Sequence, residues 1–552
     1  MSAQEFSVFE REQILERLRK ETFDLLVIGG GITGAGIALD AASRGLKTAL
    51  VEKNDFAFGT SSRSTKLIHG GLRYLKQLEF GLVREVGSER AVVHNLAPHL
   101  VVPEKMLLPL SEKKGMGYWL TSIGLRIYDY LAGVKAEDQR RMLTRMQTLR
   151  YEPLLKTDDV KGGAIYAEYR TDDARLTIEV IKAAVQHHAC ILNYAKVNDF
   201  IYQEDVIGGA SVTDYLTNES FIIESRVVVS ATGPWVDQLR DINNSKSGKR
   251  LHLTKGVHIV VPHEKFPVRQ AIYFDVDDGR MIFSIPRGRT TYIGTTDTTY
   301  TGNLDQVVTT QEDAQYLLNA VNANFPSVRL TLADIESSWA GLRPLIHEDG
   351  KSTSELSRKD EIFESDTGLI SIAGGKLTGY RKMAERVVNL VIKKHFSQNT
   401  YKPCYTNKIK LNGSDFSNSK EVRRYISRIT EKLSASQSPL ITAHYMVENY
   451  GLQTDQILSA MDEPLKSEEP FELKLLKAEL QFTIQHEMVT SLQDFFVRRT
   501  GLLYFDIHKV FRWKHEIASA CKISLGWDDT RFQSELKGLE NLISEVTKFG
   551  NQ

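Results

Sequence analysis

Three glycines and one acid supply the first chemistry in the chain. Gly29, Gly31 and Gly34 are spaced Gly-x-Gly-x-x-Gly directly after the apolar run FDLLVI at 23–28. The stretch AGIALDAASRG, closed by Gly45, reads as a helix, and KTALVE reads as a second strand ending at Glu52. In such a unit the first glycine permits a tight turn. The second lets the backbone approach a pyrophosphate, and the third lets helix and strand pack closely. The helix N-terminus adds free N–H groups and a positive dipole end. Glu52 lies 18 residues past Gly34, close to the ~20 expected of an acid that accepts hydrogen bonds from ribose hydroxyls. An acid there disfavours a 2′-phosphate, so FAD or NAD is expected in preference to NADP.

Further along, Thr60 to Leu75 is dense in hydroxyls, cations and glycines. It suits the lining of a cofactor or phosphate, or a solvated polar loop. Four other segments bring single polar groups: His258 in TKGVH, Arg343 just before Pro344, Arg358 in LSRKDEIF, and Lys376 in GGKLT at a strand-to-helix junction. Each alone is more often structural. Together two arginines, a lysine and a histidine suit a small anionic substrate. No metal is expected. His187-His188 near Cys190 lacks a third ligand at metal spacing, and His486-Glu487 lacks the second histidine of a zinc helix, because position 490 is threonine. Asp172-Asp173 after Thr171 reads as a helix cap.

These groups must be positioned by a large chain. Its 552 residues allow three or four domains, and 70 basic against 70 acidic residues give zero formal charge. That balance argues against nucleic acid as a partner. Three scattered cysteines, Cys190, Cys404 and Cys521, speak against a disulfide framework. No secretory h-region and no apolar run of ~18 residues is visible. Residues 7–20 are expected to form an amphipathic helix with Phe9, Ile14, Leu15 and Leu18 on its packed side. RMIFSIPRGRTTYIGTTD reads as an antiparallel hairpin beside the dinucleotide fold. GLISIAGG followed by LTGYRKMAERVVNLVIKKHF repeats the strand–glycine–helix arrangement. Beyond about residue 400, Leu473, Leu476, Leu480, Ile484, Met488 and Leu492 recur at helical spacing.

The stretch VIGGGITGAGIALDAASRGLKTALVEKNDFAFGTSSRSTKLIHGGLRYL closely resembles the FAD-dependent glycerol-3-phosphate dehydrogenases. So do TDDARL, SATGPWVD, KGVHIVVP, IGTTD, GLRPL, AGGKLTGYRKMAE and HEMVTSLQDFFVRRTGL, in order from about residue 22 to about residue 510. The resemblance implies an α/β chain, α+β overall. A Rossmann-like FAD-binding domain would be built from 20–80, 160–235 and 335–397. An antiparallel β-sheet substrate cap domain would come from 81–159 and 236–334, and an α-helical C-terminal domain from 398–552. It places FAD on Gly29, Gly31, Gly34, Glu52, Ser61, Ser62, Ser64, Lys66, Gly375, Leu377 and Thr378. It places the phosphate of glycerol 3-phosphate on Arg73, Tyr74 and Arg358, and His258, Arg343 and Lys376 around its C2 hydroxyl, with His258 as the base. It further implies a membrane quinone as electron acceptor, a cytoplasmic protein bound peripherally to the membrane, and a homodimer. An oxidase using oxygen and a non-catalytic flavin-binding protein are the alternatives. Retention of the four substrate-side groups speaks against the second. The related oxidases carry an insertion not recognised in this chain.

Overall fold

The structure, a computed structural model, describes residues 6–68, 80–111, 139–246, 248–347, 360–461 and 469–549. Its first layer is a largely parallel sheet centred on Phe23–Ile28. That strand is almost wholly apolar because helices and neighbouring strands cover both of its faces. Thr48–Val51 and then Cys190–Leu192 lie parallel on one side. Ser220–Ser230 and Ile370–Ala373 lie parallel on the other, with Glu361–Glu364 antiparallel at the edge. Strand order therefore reverses at the carboxyl end of Phe23–Ile28, where open α/β sheets bind ligands.

The helix Ile32–Arg44 crosses from the first strand to the second, packed between Asp173–Gln186 and Tyr380–His395. It ends at Gly45, left-handed at φ +103°. A Cβ on Gly34 would sit 1.9 Å from the Gly29 carbonyl oxygen, so this helix meets its strand at backbone contact. The N-terminal helix spans Arg11–Lys20 and buries Ile14, Leu15 and Leu18 against the parallel sheet. Phe9 departs from the expected packed side: it falls in a preceding 3-10 turn, Val8–Glu10, and is 56% exposed.

The second sheet is antiparallel apart from one pairing, in which Met106 and Leu107 run parallel to Ala271 and Ile272. Its centre is the long strand Arg250–Pro262. Ser337–His347 pairs along one edge of that strand, and Thr290–Gly294 pairs along the other. The expected hairpin is present, with Met281–Arg287 against Thr290–Gly294 and Gly288 in the left-handed region of the turn. Val160–Arg170 and Ser337–His347 both belong to this sheet, so it extends into the ranges 160–235 and 335–397 read as cofactor domain. Both strands are buried almost without alternation, and only pairing assigns them to a sheet.

Helices dominate after residue 418, among them Ser419–Lys432, Pro439–Tyr450, Phe471–Glu487, Ile507–Leu525 and Asp529–Thr547. The expected apolar stripe is buried throughout, yet it spans two elements. The helix stops at Glu487 because Met488 is left-handed, and Leu492 belongs to the following turn. The buried Glu487 carboxylate takes Arg175 at 2.5 and 2.8 Å and Lys182 at 3.1 Å. These ion pairs tie the helical region to Asp173–Gln186.

Candidate active site

The cavity at the switch point has a volume of about 420 Å³. Its floor is the glycine-rich turn. Gly29 lies at φ +111°, and a Cβ there would meet the Ala231 carbonyl oxygen at 2.7 Å. Gly31 is different: a Cβ would project toward the Ser61 hydroxyl alone, at 3.2 Å. Gly31 is also the N-cap of Ile32–Arg44 and offers no side chain to the helix. Ser61 Oγ instead accepts from Ile32 N at 3.0 Å. A helix N-terminus whose own N-cap carries no side chain, beside a second glycine, fits a pyrophosphate. Glu52 accepts from Gly30 N at 2.7 Å and from Asn54 N at 2.9 Å. Burial raises its pKa, against the pull of those N–H groups.

At the other end stand the two strands that flank Arg250–Pro262. His258 lies in register between Gly294 and Trp339. Its ring stacks on Trp339 at 4.8 Å and 12°, and a Cβ on Gly294 would be 2.1 Å from His258 Cδ2. The imidazole is thus held in a slot with one indole wall. Nε2 bonds Thr65 Oγ1 at 3.0 Å, and Nδ1 has no partner among the described residues. Burial lowers its pKa well below 6.5, and the charges of Arg343 and Lys66 push the same way. The imidazole of His258 is therefore uncharged at neutral pH.

Arg343 is aimed by the Thr296 carbonyl at 3.1 Å, Thr295 Oγ1 at 2.9 Å and Asp297 at 3.4 Å. Lys376, Leu377 and Thr378 open the 3-10 turn that runs into Tyr380–His395, and they line the same cavity with Gly375. The cavity thus gathers Gly29, Gly31, Glu52, Ser61, Ser64, His258, Arg343, Gly375, Lys376, Leu377 and Thr378. Gly34, Ser62 and Lys66 are not on its wall. Gly34 packs on backbone. Ser62 is buried beneath the loop, and the Lys66 ammonium turns inward to Asp173 at 2.5 Å and Asp172 at 3.6 Å. A lysine buried this deeply stays charged only beside such partners. Arg73, Tyr74 and Arg358 lie outside the described residues.

Three further residues shape the site through partners distant in the chain. Thr65 holds His258. Trp339 stacks on it and donates from Nε1 to the Ser64 carbonyl at 3.1 Å. Asp173 accepts from Ser64 N at 2.9 Å and Ser64 Oγ at 2.6 Å, besides Lys66. Asp172 does cap its helix, accepting from Arg175 N at 3.1 Å. The pair read as a cap also anchors the loop that bears Thr65. Among the described residues no cluster of His, Cys, Asp or Glu is arranged to hold a metal.

Known proteins resemble this chain over nearly its whole length. A family described as FAD dependent oxidoreductase matches residues 24–380, and the C-terminal domain of alpha-glycerophosphate oxidase matches residues 404–532. The aerobic glycerol-3-phosphate dehydrogenase of Bacillus subtilis is 48% identical over 552 residues, covering 99% of both chains. That of Staphylococcus aureus is 47% identical over 551 residues, again covering 99% of both. The crystal structure of the Bacillus halodurans glycerol-3-phosphate dehydrogenase complexed with FAD superposes with a TM-score of 0.84 at 43% identity, covering 99% of each chain. The L-alpha-glycerophosphate oxidase of Mycoplasma pneumoniae shares the fold, with a TM-score of 0.56 at 20% identity over 70% of this chain and 98% of its own. A cavity floored by a nucleotide-binding turn and walled by a neutral histidine and an arginine thus sits in a chain that belongs to the FAD-dependent oxidoreductases and, within them, to the aerobic glycerol-3-phosphate dehydrogenase family.

Proposed function

We propose that the protein oxidises sn-glycerol 3-phosphate to dihydroxyacetone phosphate and passes the electrons to a membrane quinone. The observation that carries this reading is a neutral His258 and an aimed Arg343 in the same cavity as the glycine-rich turn. When bound, FAD supplies a two-electron acceptor at N5 for the hydride from C2. His258 takes the proton of the C2 hydroxyl. Arg343 and Lys376 stabilise the oxygen as negative charge develops on it. The Trp339 stack and the Thr65 bond hold the imidazole against rotation. The phosphate falls to Arg73, Tyr74 and Arg358. Gly29, Gly31 and Ser61 would hold the pyrophosphate, and Glu52, its carboxylate held by the Gly30 and Asn54 amides, would accept from the adenosine ribose. Gly375, Leu377 and Thr378 present their helix end to the flavin ring, where its dipole favours the reduced cofactor.

No helix among the described residues is long and apolar enough to cross a membrane. Quinone reduction then requires peripheral docking on the bilayer, and we expect a homodimer. The test is anaerobic mixing of holoenzyme with glycerol 3-phosphate while flavin absorbance is followed. Rapid bleaching supports the reading, and an unbleached flavin refutes it. Adding oxygen or a soluble quinone to the reduced sample then separates oxidase from dehydrogenase.

A further inference from the structure

The helical C-terminal region carries no group in the cavity, yet it reaches the loop that closes the nucleotide end. That loop runs from Glu52 to Gly59 and lines the cavity with Glu52, Lys53, Phe58 and Gly59. Two bonds tie it to the glycine-rich turn: Gly30 N to Glu52 at 2.7 Å and Ala57 N to the Gly30 carbonyl at 3.0 Å. Its third anchor is Asp55, a fully buried carboxylate whose own carbonyl accepts from Phe58 N at 3.2 Å. Asp55 takes Arg498 Nε at 2.5 Å and Arg499 at 2.7 and 2.9 Å. Both arginines end the π-helical turn Asp494–Arg499. Arg498 is itself aimed by Asp494 at 2.7 Å and lies over the Phe58 ring at 5.8 Å. Arg499 is braced by the Glu487 carbonyl at 2.7 Å.

We propose that the helical region is a clamp for the cofactor loop, with Arg498 and Arg499 as positioning residues that act through Asp55 to retain FAD. Two buried guanidiniums on one buried carboxylate fix its place in three dimensions, and with it the Phe58 and Gly59 wall. A plain domain interface needs ion pairs somewhere across the contact. Arg170 with Glu448 at 3.0 Å already supplies one, on a side chain that neither lines the cavity nor touches the residues holding Asp55. The second set converges on a loop that lines the cavity. The inference rests on FAD binding at the glycine-rich turn, which the flavin spectrum of the wild-type holoenzyme checks separately.

The test compares FAD release from holoenzymes after dilution, read as the rise of free flavin fluorescence, beside thermal melting of each protein. Arg498→Gln and Asp55→Asn perturb the clamp, while Arg170→Gln weakens the contact with the helical region elsewhere. We expect Arg498→Gln and Asp55→Asn to release FAD at least about tenfold faster, and Arg170→Gln within about threefold of wild type at a comparable loss of melting temperature. Arg498→Lys, which keeps the charge but loses the fork, should fall between. If Arg498→Gln does not fold, Asp55→Asn and Arg498→Lys carry the comparison. Wild-type release from the clamp variants would overturn the proposal. So would equally fast release from Arg170→Gln, which would mean general loosening.

Discussion

Replacing Gly31 by alanine adds one methyl at the point where the cavity meets the helix N-terminus. The backbone there, φ −78° and ψ 178°, is extended and accepts any residue. The new Cβ meets no backbone, only Ser61 Oγ at 3.2 Å, a hydroxyl that can rotate away. Exchanging glycine for alanine at an N-cap costs at most about 1 kcal/mol. Apo-protein melting should therefore fall by roughly 2–4 °C or less. Cofactor affinity should fall far more. The methyl holds the pyrophosphate off the turn, weakening one or two hydrogen bonds to a charged group at about 1.5–3 kcal/mol each. A combined loss of about 2–4 kcal/mol corresponds to a rise of about 30- to 1000-fold in the FAD dissociation constant. Gly34→Ala is the contrast. Its Cβ would start 1.9 Å from the Gly29 carbonyl, so the helix must withdraw by at least about 1.1 Å to reach a tolerated 3.0 Å. Tyr380 lies behind it, 3.0 Å from a Cβ built on Gly36. Both apo-protein melting and FAD affinity should then drop. Flavin titration and differential scanning calorimetry measure the two quantities. A Gly31→Ala protein that binds FAD as tightly as wild type would refute the assignment of the pyrophosphate to this turn.

Four further outcomes are expected. His258→Ala should slow anaerobic flavin reduction by at least about a hundredfold with little change in FAD content, and fast reduction in stopped flow would remove His258 as the base. The low pKa of His258 should keep its limb of the reduction rate flat as pH falls through 6.5, and Arg343→Met, which removes one of the lowering charges, should move an acid limb up toward that value. Thr65→Val should slow reduction about tenfold and alter that pH profile while Thr65→Ser restores both; an unchanged profile in the valine variant would leave Thr65 with no part in holding the imidazole. Glu487→Gln leaves Arg175 and Lys182 short of a carboxylate and should cost about 3–5 kcal/mol. Burial alone would raise the Glu487 carboxyl, but Arg175 and Lys182 hold it at about 2, below the ordinary 4.5. Its stabilisation is thus complete above about pH 4.5 and lost as pH falls toward 2, so the wild type should lose its margin over Glu487→Gln in acid melts.

What could be read from the sequence was what neighbouring residues encode. The turn from Gly29 to Gly34, the helix to Gly45 and the acid at 52 are contiguous, and the structure folds them as one unit. The hairpin around Gly288 is local in the same way. The contacts that aim the site are not. Lys66 and Asp173 are 107 residues apart, and Thr65 and His258 are 193 apart. No periodicity links such pairs, so Lys66 read as a cofactor contact when its charge is spent inside the protein. The stacking of Trp339 on His258 likewise follows from strand register, which composition does not specify. The end of the helix at Glu487 was hidden because Met488 and Leu492 continue the apolar spacing across a left-handed residue.

The distance along the chain between Asp55 and Arg499, 444 residues, has a consequence for biosynthesis. Ribosomes add about 5–20 residues per second, so roughly 20 to 90 s separate the emergence of the carboxylate from that of its second arginine. Within that interval the remaining strands of the parallel sheet emerge one after another, Ile370–Ala373 last among those that run parallel, while the chain still lacks the partner that fixes the wall beside the nucleotide. Stable flavin capture is therefore a late event in synthesis. Chains arrested before the DFFVRR segment should accumulate as colourless, protease-sensitive polypeptide even where the whole glycine-rich turn has been made.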